Sequence, residues 1–393
     1  MQESRNLFQS PLIVDDIHAQ ATLIREVVAR VEPQIAAVVT ADRARQAAKV
    51  FLTGCGDSHY VGLAARLAFD KYAQVPTEPV ESLEFARYIV DAMPAKSIVV
   101  GVSNSGEVSR TVETLQVARR RGAYTVAITG TPNNRLAKAG EATIIQTVPS
   151  LGEDWNPFSV GALGLGNYLA SLITLYLIAF RLGEVRGVIS AAEADALKGE
   201  IMRAAEIVER TVAANDAAVQ EYARQVSHLD TFQILGAGPS YAAALFSAAK
   251  LFEQPHANGV PQELEEWAHE QYFLTRPGAT HIFFIVPPGR SRDRALEQMR
   301  GARDMGATVV AVCDEGDAEV RAAANLAFLI QGSLPEEFSP LTYIVPNQLF
   351  ATHLHTVRGR PPLESPYDVD RLRDVNYRQI FQSAIPDGGG LIA

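Results

Sequence analysis

The sequence predicts an α/β protein built from two copies of one domain, each a parallel β-sheet covered by helices. Residues 51–58 (FLTGCGDS) match residues 233–240 (QILGAGPS), and each stretch is an apolar strand that ends in Gly-x-Gly-x-Ser. Residues 118–128 match residues 302–312, and each combines a helix end, a glycine and a buried strand. Such an internal repeat indicates a duplicated domain, and alternating strands and helices are typical of a parallel sheet.

Each copy is predicted to run strand, helix, strand, helix, strand, with right-handed crossovers. Helices are also predicted outside the two copies, over residues 16–48, 190–230 and 342–357. The resulting boundaries are an N-terminal helical segment 1–48, a first domain 49–189, linking helices 190–230, a second domain 231–357 and a polar, proline-containing tail 358–393.

One apolar segment needs a separate interpretation. Residues 155–180 contain no charged side chain and are long enough to span a bilayer. They also contain asparagine, proline, serine and three glycines, and no membrane topology surrounds them. We therefore expect residues 160–180 to form a buried helix at a domain or subunit interface, and no membrane partner.

Composition excludes several classes of function. With 393 residues and 47% hydrophobic content, the chain can bury a core in each of two domains. Its net charge of -10 and the lack of a Lys/Arg cluster argue against nucleic acid as a partner. The two cysteines lie far apart, the histidines lack metal-ligand spacing, and residues 1–20 contain no export signal, so we expect a cytoplasmic protein without a metal site.

The clearest candidate for ligand binding follows a buried strand at residues 98–102. The next residues, Ser103, Asn104, Ser105 and Gly106, precede a helical pattern, and a helix N-terminus with hydroxyl and amide side chains is an anion site. Neither a Walker loop nor Gly-x-Gly-x-x-Gly is present. The alternative is an ordinary serine-rich N-cap. Because ligands of parallel sheets bind at the carboxyl ends of strands, this loop should converge with residues 55–58.

These motifs resemble a known family. Residues 54–58 (GCGDS), Glu84-Phe85, residues 103–107 (SNSGE) and the duplicated sheet are similar to the double-domain form of the sugar isomerase (SIS) family. Members with this form include the isomerase half of glucosamine-6-phosphate synthase and the fructosamine-6-phosphate deglycases. The resemblance covers residues 50–357 and implies two flavodoxin-like, three-layer α/β/α SIS domains, a sugar phosphate ligand and no cofactor.

The resemblance assigns roles to residues of the first domain. Val108 replaces a threonine of the family, so either Ser109 supplies that hydroxyl or one phosphate contact is lost. Asp57 also replaces a threonine, and it either faces a cationic amino group of the ligand or caps the helix. The implied substrate-binding residues are Gly56, Asp57, Ser58, Ser103, Asn104, Ser105, Ser109 and, through its backbone, Val160.

The second domain is implied to carry the chemistry. The family places a proton-transferring glutamate at Glu253, next to Lys250, and a ring-opening histidine sixteen residues later at His269. Proton transfer between C1 and C2 of a sugar needs a carboxylate base, and ring opening suits a group that titrates near neutral pH. In the family this histidine reaches the neighbouring subunit's site, which implies a homodimer with composite sites. The alternatives are an exposed helix carboxylate and an ordinary surface histidine.

Departures from the family narrow the function. The synthase forms a Schiff base through a lysine in its tail, whereas Lys250 is the last lysine here, and Gln2 stands where a glutaminase needs cysteine. We therefore expect a deglycase or amino-sugar phosphate isomerase. A simple aldose–ketose isomerase and a non-catalytic sugar-phosphate sensor are the alternatives. Residues 286–291 (VPPGRS) contain two prolines, which predicts one phosphate site per chain.

Two further segments leave their roles open. Residues 268–271 (AHEQ) differ from the Lys-His-Gly-Pro that the family usually has around the histidine. The tail from residue 361 onwards, with Tyr367, Arg371, Arg373 and Tyr377, either closes over the ligand, as tails of this family do, or packs as an arm on its own subunit.

Overall fold

A computed structural model describes residues 10–148, 165–359 and 369–386, with side chains over 15–148, 165–359 and 374–386. The strands are β1 (Lys49–Gly54), β2 (Thr77–Glu81), β3 (Ser97–Val102), β4 (Tyr124–Thr129), β5 (Ala142–Ile145), β6 (Thr231–Gly236), β7 (Asn258–Glu263), β8 (His281–Val286), β9 (Thr308–Asp314) and β10 (Leu326–Ile330). The helices are α1 (Ser10–Val38), α2 (Ala41–Gln46), α3 (Asp57–Ala68), α4 (Ser82–Glu84), α5 (Ser109–Arg120), α6 (Arg135–Ala139), α7 (Leu165–Arg186), α8 (Ala191–Gln225), α9 (Pro239–Glu253), α10 (Leu264–His269), α11 (Arg292–Asp304), α12 (Ala318–Ala323), α13 (Pro340–Tyr343), α14 (Val345–Arg358) and α15 (Val369–Phe381).

Two five-stranded sheets confirm the predicted duplication. The first has the order β2-β1-β3-β4-β5 and the second β7-β6-β8-β9-β10, so corresponding strands occupy corresponding positions. All the strand pairs are parallel. β3 is buried along its whole length, as its continuous apolar run requires in a sheet with helices on both faces.

The sequence pattern predicts three strands in each copy, and the structure adds two edge strands to each sheet. The additional strands are β2 and β5 in the first sheet and β7 and β10 in the second. They are only partly buried, because an edge strand is paired on one side only. β2 and β7 have no apolar run that would predict them, whereas β10 (LAFLI) is apolar throughout and could have been predicted from its residues.

Most of the predicted helices are present with shifted ends. α1 and α2 cover the predicted residues 16–48, α8 covers most of 190–230, and the segment 342–357 falls on α13 and α14. The sequence predicts only a polar, proline-containing tail over residues 358–393, and the structure adds the helix α15 within it. The apolar residues of this helix, Val375, Tyr377, Ile380 and Phe381, are separated by polar residues, so their helical spacing is a weak signal in the sequence.

The apolar segment forms the helix α7. By length and composition this helix is able to cross a membrane, but 83% of its most apolar stretch is buried inside the protein. Core helices pass the same test, and the burial agrees with the predicted buried helix. The predicted start at residue 160 lies outside the described residues.

The described residues divide into two compact units. The first-sheet unit contains residues 23–148, 166–202 and 369–386. The second-sheet unit contains residues 10–22, 165 and 203–359. The tail helix α15 therefore belongs with the first sheet, although it follows the second sheet along the chain.

Candidate functional site

The loop after β3 is held in one conformation by a glycine. Gly106 has a φ of 66°, and its N–H donates to the carbonyl of Ser103 at 3.0 Å. Its own carbonyl accepts the N–H of Leu136 at 2.9 Å, and a side chain at this position would overlap Asn134. Only glycine fits both the backbone angle and the space. We call residues 103–108 the anion loop.

The anion loop presents hydrogen-bond donors at the start of α5. Val108 is the N-cap and no described side chain caps the helix. The first intrahelical bond joins the N–H of Val112 to the Val108 carbonyl at 3.1 Å, so the preceding amides have no intrahelical acceptor. The Ser103 hydroxyl is buried, and within the described residues it has no hydrogen-bond partner. A helix N-terminus with such donors suits an anion.

The other predicted residues of this region, Asn104 and Ser105 in the loop and Ser109 at the start of α5, differ in their exposure and hydrogen bonds. The backbone carbonyl of Asn104 accepts the N–H of Gly130 at 2.9 Å. Asn104 itself is partly exposed. The Ser105 hydroxyl accepts the N–H of Glu107 at 3.2 Å. Ser109 is 0% exposed, so its hydroxyl does not lie on the solvent side of the loop.

The turn after β1 meets the anion loop at the same edge of the first sheet. β1 and β3 are neighbours, with Thr53 opposite Gly101, so the segments that follow them lie side by side. The order of the strands reverses between β1 and β3, and such switch points bind ligands in open α/β sheets. The predicted convergence of the two loops is confirmed.

Gly56 rather than Asp57 is the N-cap of α3. Gly56 has a φ of 56° and makes no side-chain cap, and Asp57 is the first helical residue. The interpretation of Asp57 as a helix cap is therefore wrong. Asp57 and Ser58 are both partly buried beside the anion loop. Val160, the remaining predicted binding residue, lies outside the described residues.

Burial favours the uncharged forms of the Cys55 thiol and the His59 imidazole, which lie at this turn. The thiol of Cys55 donates to a carboxylate oxygen of Glu81 at 3.1 Å, and burial together with Glu81 raises its pKa to about 12. Burial lowers the pKa of His59, although Glu81 opposes the shift. A neutral thiol is a poor nucleophile, so Cys55 is not suited to covalent catalysis.

Sequence reasoning missed Glu81, which has a counterpart in the second sheet. Glu81 ends β2 and Glu263 ends β7, and each carboxylate caps the short helix that follows. The shortest of these bonds run from Leu83 N–H to Glu81 and from Glu265 N–H to Glu263, both at 2.7 Å. Extending the internal repeat to the second strand of each copy would have found the pair.

The loop after β8 corresponds to the anion loop but is filled by the protein itself. The N–H of Arg290 donates to the Glu336 carboxylate at 3.2 Å, and a side chain at Gly289 would overlap that carboxyl group. Arg292, at the start of α11, holds Asp317 through two bonds of 2.6 and 2.7 Å. One backbone donor of this loop and the arginine at the start of α11 therefore bind carboxylates of the protein, as expected if each chain has one phosphate site.

Lys250 and Glu253 form an ion pair at the end of α9. The Lys250 ammonium donates to a Glu253 carboxylate oxygen at 2.6 Å and lies 4.8 Å from the centre of the Phe246 ring. Lys250 is 0% exposed, whereas 31% of the Glu253 side chain is exposed. The buried cation thus orients a carboxylate that is still partly exposed to solvent.

His269 lies on the other face of the second sheet. The crossover β6–α9–β7 and the crossover β7–α10–β8 run in opposite directions, so the right-handed rule places α9 and α10 on opposite faces. Trp267 of α10 accordingly packs in the cluster that contains Met299 of α11, whereas Ser247 of α9 is bonded to Asn347 of α14. The sheet separates Glu253 from His269, so one chain does not bring them together.

The surroundings of His269 are polar and open. Its side chain is 67% exposed, and its Nε2 lies 3.3 Å from a carboxylate oxygen of Glu265, which also binds Arg294 at 2.7 Å. Within the described residues, no group of three or more His, Cys, Asp or Glu side chains is placed to hold a metal ion.

Together, the two sheets and the loops at their carboxyl edges define a duplicated, doubly wound α/β protein with an open anion loop in one copy. The sequence pattern of the SIS domain matches residues 44–153 and 227–358. The chain therefore belongs to the SIS family, as the sequence motifs predict.

Relatives in other organisms show what the chain resembles. It is 28% identical over 319 residues to a glutamine–fructose-6-phosphate aminotransferase (isomerizing) of Streptomyces coelicolor and 24% identical over 314 residues to that of Pyrococcus horikoshii. Each alignment covers 80% of this chain and 50% of the relative. The chain thus spans about half the length of the curated relatives it matches.

Solved structures share the fold. The C-terminal domain of glucosamine-fructose-6-phosphate aminotransferase from Francisella tularensis has a TM-score of 0.74 at 18% identity, covering 88% of this chain and 98% of that one. Glucosamine-6-phosphate deaminase from Thermotoga maritima has a TM-score of 0.61 at 18% identity, covering 90% and 97%. At this identity the two comparisons establish the fold alone.

Proposed function

We propose that this protein is a phosphosugar-processing enzyme that moves a proton between C1 and C2 of a 6-phosphorylated ketosamine or keto-amino sugar. The observation that carries the proposal is the open anion loop at the switch point of the first sheet, with a buried, unpartnered Ser103 hydroxyl and an uncapped helix behind it. A phosphate group satisfies both, because it offers several acceptor oxygens and negative charge at the helix N-terminus.

Glu253 is the proposed acid–base group. Proton transfer from C1 to C2 through an enolamine requires one carboxylate that accepts a proton at one carbon and returns it at the other. The buried Lys250 holds this carboxylate and supplies the compensating charge. Hydrolysis of the resulting imine by water would release an amine and leave an aldose phosphate.

Lys250 is not proposed as a Schiff-base nucleophile. Its ammonium is fully buried and bonded to Glu253, and an amine must lose its proton before it attacks a carbonyl. The sequence contains no lysine after residue 250, so we propose a route that uses no tail lysine, no Schiff base with the protein and no cofactor.

We further propose that the enzyme works as a homodimer with composite sites. His269 and Glu253 lie on opposite faces of one sheet, and His269 is largely exposed, so it is available to a second copy of the chain. In that arrangement the His269 of one copy opens the sugar ring bound by the other. A cytoplasmic location is part of the proposal and agrees with the two free thiols.

Asp57 favours an aminated substrate over a simple aldose or ketose phosphate. Its carboxyl group lies in the first turn of α3 beside the anion loop, where a cationic amino group of a bound sugar would neutralise it. Simple aldose–ketose isomerisation, which needs the same proton transfer, is the second candidate. A non-catalytic sugar-phosphate-binding module is the third.

The test is turnover of a panel of 6-phosphorylated fructosamines, amino sugars and fructose 6-phosphate, reading released amine and aldose phosphate. We expect the wild type to release amine and Glu253→Gln to lose at least about a hundredfold in kcat, the scale of one general acid–base group. Glu221→Gln, an exposed carboxylate of α8, is the matched control and should keep full activity.

The other outcomes separate the candidates. Turnover of fructose 6-phosphate alone would replace the proposal by simple isomerisation. Binding of these phosphates, seen as a shift in Tm, without any turnover would leave only the binding module. Equal activity of Glu253→Gln and the wild type would remove Glu253 from the mechanism.

A further inference from the structure

The end of the tail is tied to the first sheet by two arginines. Arg135 donates to the carbonyl of Phe381 at 2.7 Å. Arg110 donates to the Ser383 hydroxyl at 2.7 Å and to the carbonyl of Ala384 at 2.5 Å. Ile385 packs against the hydrophobic cluster of the first sheet. We call residues 381–385 the strap.

The same two arginines flank the anion loop. The Arg135 guanidinium donates to the carbonyl of Glu107 at 3.2 Å and lies 3.5 Å from the Ser109 hydroxyl. The N–H of Arg135 donates to the Glu107 carboxylate at 3.2 Å. Arg110 lies in the first turn of α5, next to the loop, where it pairs with the fully buried Glu113. Strap and loop therefore share the Arg135 guanidinium, and Arg110 ties the strap to the first turn of α5.

The bond to Glu107 has a direct consequence for anion binding. A trans peptide is planar, so its carbonyl and N–H point in opposite directions. When Arg135 holds the Glu107 carbonyl, the N–H of Val108 must point away from Arg135. The amide that precedes α5 is thereby fixed before any ligand arrives, which lowers the cost of ordering the loop on binding.

We infer that the strap is part of the phosphate site: by binding Arg135 and Arg110 from outside, residues 381–385 hold the anion loop in its binding conformation, and Arg135 is the positioning residue. The inference rests on the proposed phosphate site. It extends that site to a segment that follows the loop by more than two hundred residues and that contributes backbone carbonyl groups rather than a catalytic side chain.

The experiment compares Ile385→Asn with Ile380→Asn in the full chain. Ile385 packs on the cluster of the first sheet, whereas Ile380 is an exposed isoleucine of α15, so the second variant is a matched control. Two measurements are made: hydrogen exchange of residues 103–111, and the Kd for inorganic phosphate and for glucosamine 6-phosphate. Exchange of β3 amides reports whether each variant is folded.

We expect Ile385→Asn to speed exchange of the anion loop and to weaken binding of both probes by about tenfold, with Ile380→Asn unchanged. Faster exchange of residues 382–385 without any change in the loop or in Kd would overturn the inference. Arg135→Gln provides a second test that does not depend on Ile385, and it should speed exchange of the loop and of residues 381–384 together. Unchanged exchange at either segment would also overturn it.

The design separates the two proposals. If the wild type bound neither probe, the proposed phosphate site would fail, yet the exchange measurements would still show whether the strap holds the loop. If the wild type binds and Arg135→Gln and Arg135→Lys both raise Kd, the guanidinium acts through its hydrogen bonds rather than through charge alone, because lysine keeps the positive charge and loses the planar fork of donors.

Discussion

The anion loop and the loop after β8 occupy the same place in two copies of one fold, but only one of them offers donors to an external ligand. In the first sheet, Gly106 shapes a loop in which the Ser103 hydroxyl has no hydrogen-bond partner within the described residues and no described side chain caps the helix that follows. In the second sheet, Glu336 fills the corresponding position and accepts the N–H of Arg290. Duplication thus preserved the sheet, while Glu336 and the two prolines Pro287 and Pro288 distinguish the loop of the second copy from the anion loop.

The largest effect should follow from Gly106→Ala. The residue has a positive φ and a side chain would overlap Asn134, so we expect the free energy of unfolding to fall by about 2–4 kcal/mol and phosphate binding to be lost. Urea unfolding measures the first effect and calorimetry the second. Gly289→Ala is the counterpart and should cost less, because the Glu336 side chain can move aside. Equal losses in the two variants would mean that the loops are equally constrained.

Glu336→Ala should have the next largest effect. Removal of the carboxylate leaves the Arg290 N–H without its acceptor, so we expect a loss of about 1–2 kcal/mol in the free energy of unfolding. We expect no second phosphate site, since Pro287 and Pro288 supply no backbone donors. The variant is titrated with inorganic phosphate. Two binding sites per chain would contradict this expectation and would mean that Glu336 alone prevents the second loop from binding phosphate.

Ser103→Ala should separate binding from stability. The hydroxyl has no partner within the described residues, so its loss should change the free energy of unfolding by less than about 0.5 kcal/mol. A phosphate that bonds to it would bind about five- to tenfold more weakly to the variant, as calorimetry can measure. Ser291→Ala, at the N-cap of α11 in the second loop, is the control and should change neither quantity.

The smallest difference between the two domains is expected in the reactivity of their cysteine thiols. Burial raises the pKa of both Cys55 and Cys313 from 9.0 to about 12. Neither thiol should therefore react with iodoacetamide at pH 8 in the folded protein. Because the folded pKa is raised, the stabilising effect is complete below pH 9 and is lost as the pH rises towards 12. Unfolding measured from pH 8 to 11 should show this decline, and selective labelling of Cys55 would reveal a more open first domain.

Local signals in the sequence predicted much of the fold. The repeated Gly-x-Gly-x-Ser turns and central apolar strands fall where the pattern places them, because each depends on residues a few positions apart. The edge strands β2 and β7 and the helix α15 lacked such a signal. Of the candidate site, the anion loop was found from its composition, whereas Glu81 was missed because its contact is with Cys55, in the turn that follows a different strand.

The residues alone are enough to predict a duplicated α/β protein with one serine-rich loop at the end of a buried strand. Periodicity, turn residues and a repeat can all be read from the chain without knowledge of its packing. Three features became visible only in the folded protein. Glu336 fills the second loop, α9 and α10 lie on opposite faces of the second sheet, and residues 381–385 bind Arg135. Each of these depends on packing between segments that are distant along the chain. No local pattern records which carboxylate or carbonyl group will reach a given donor.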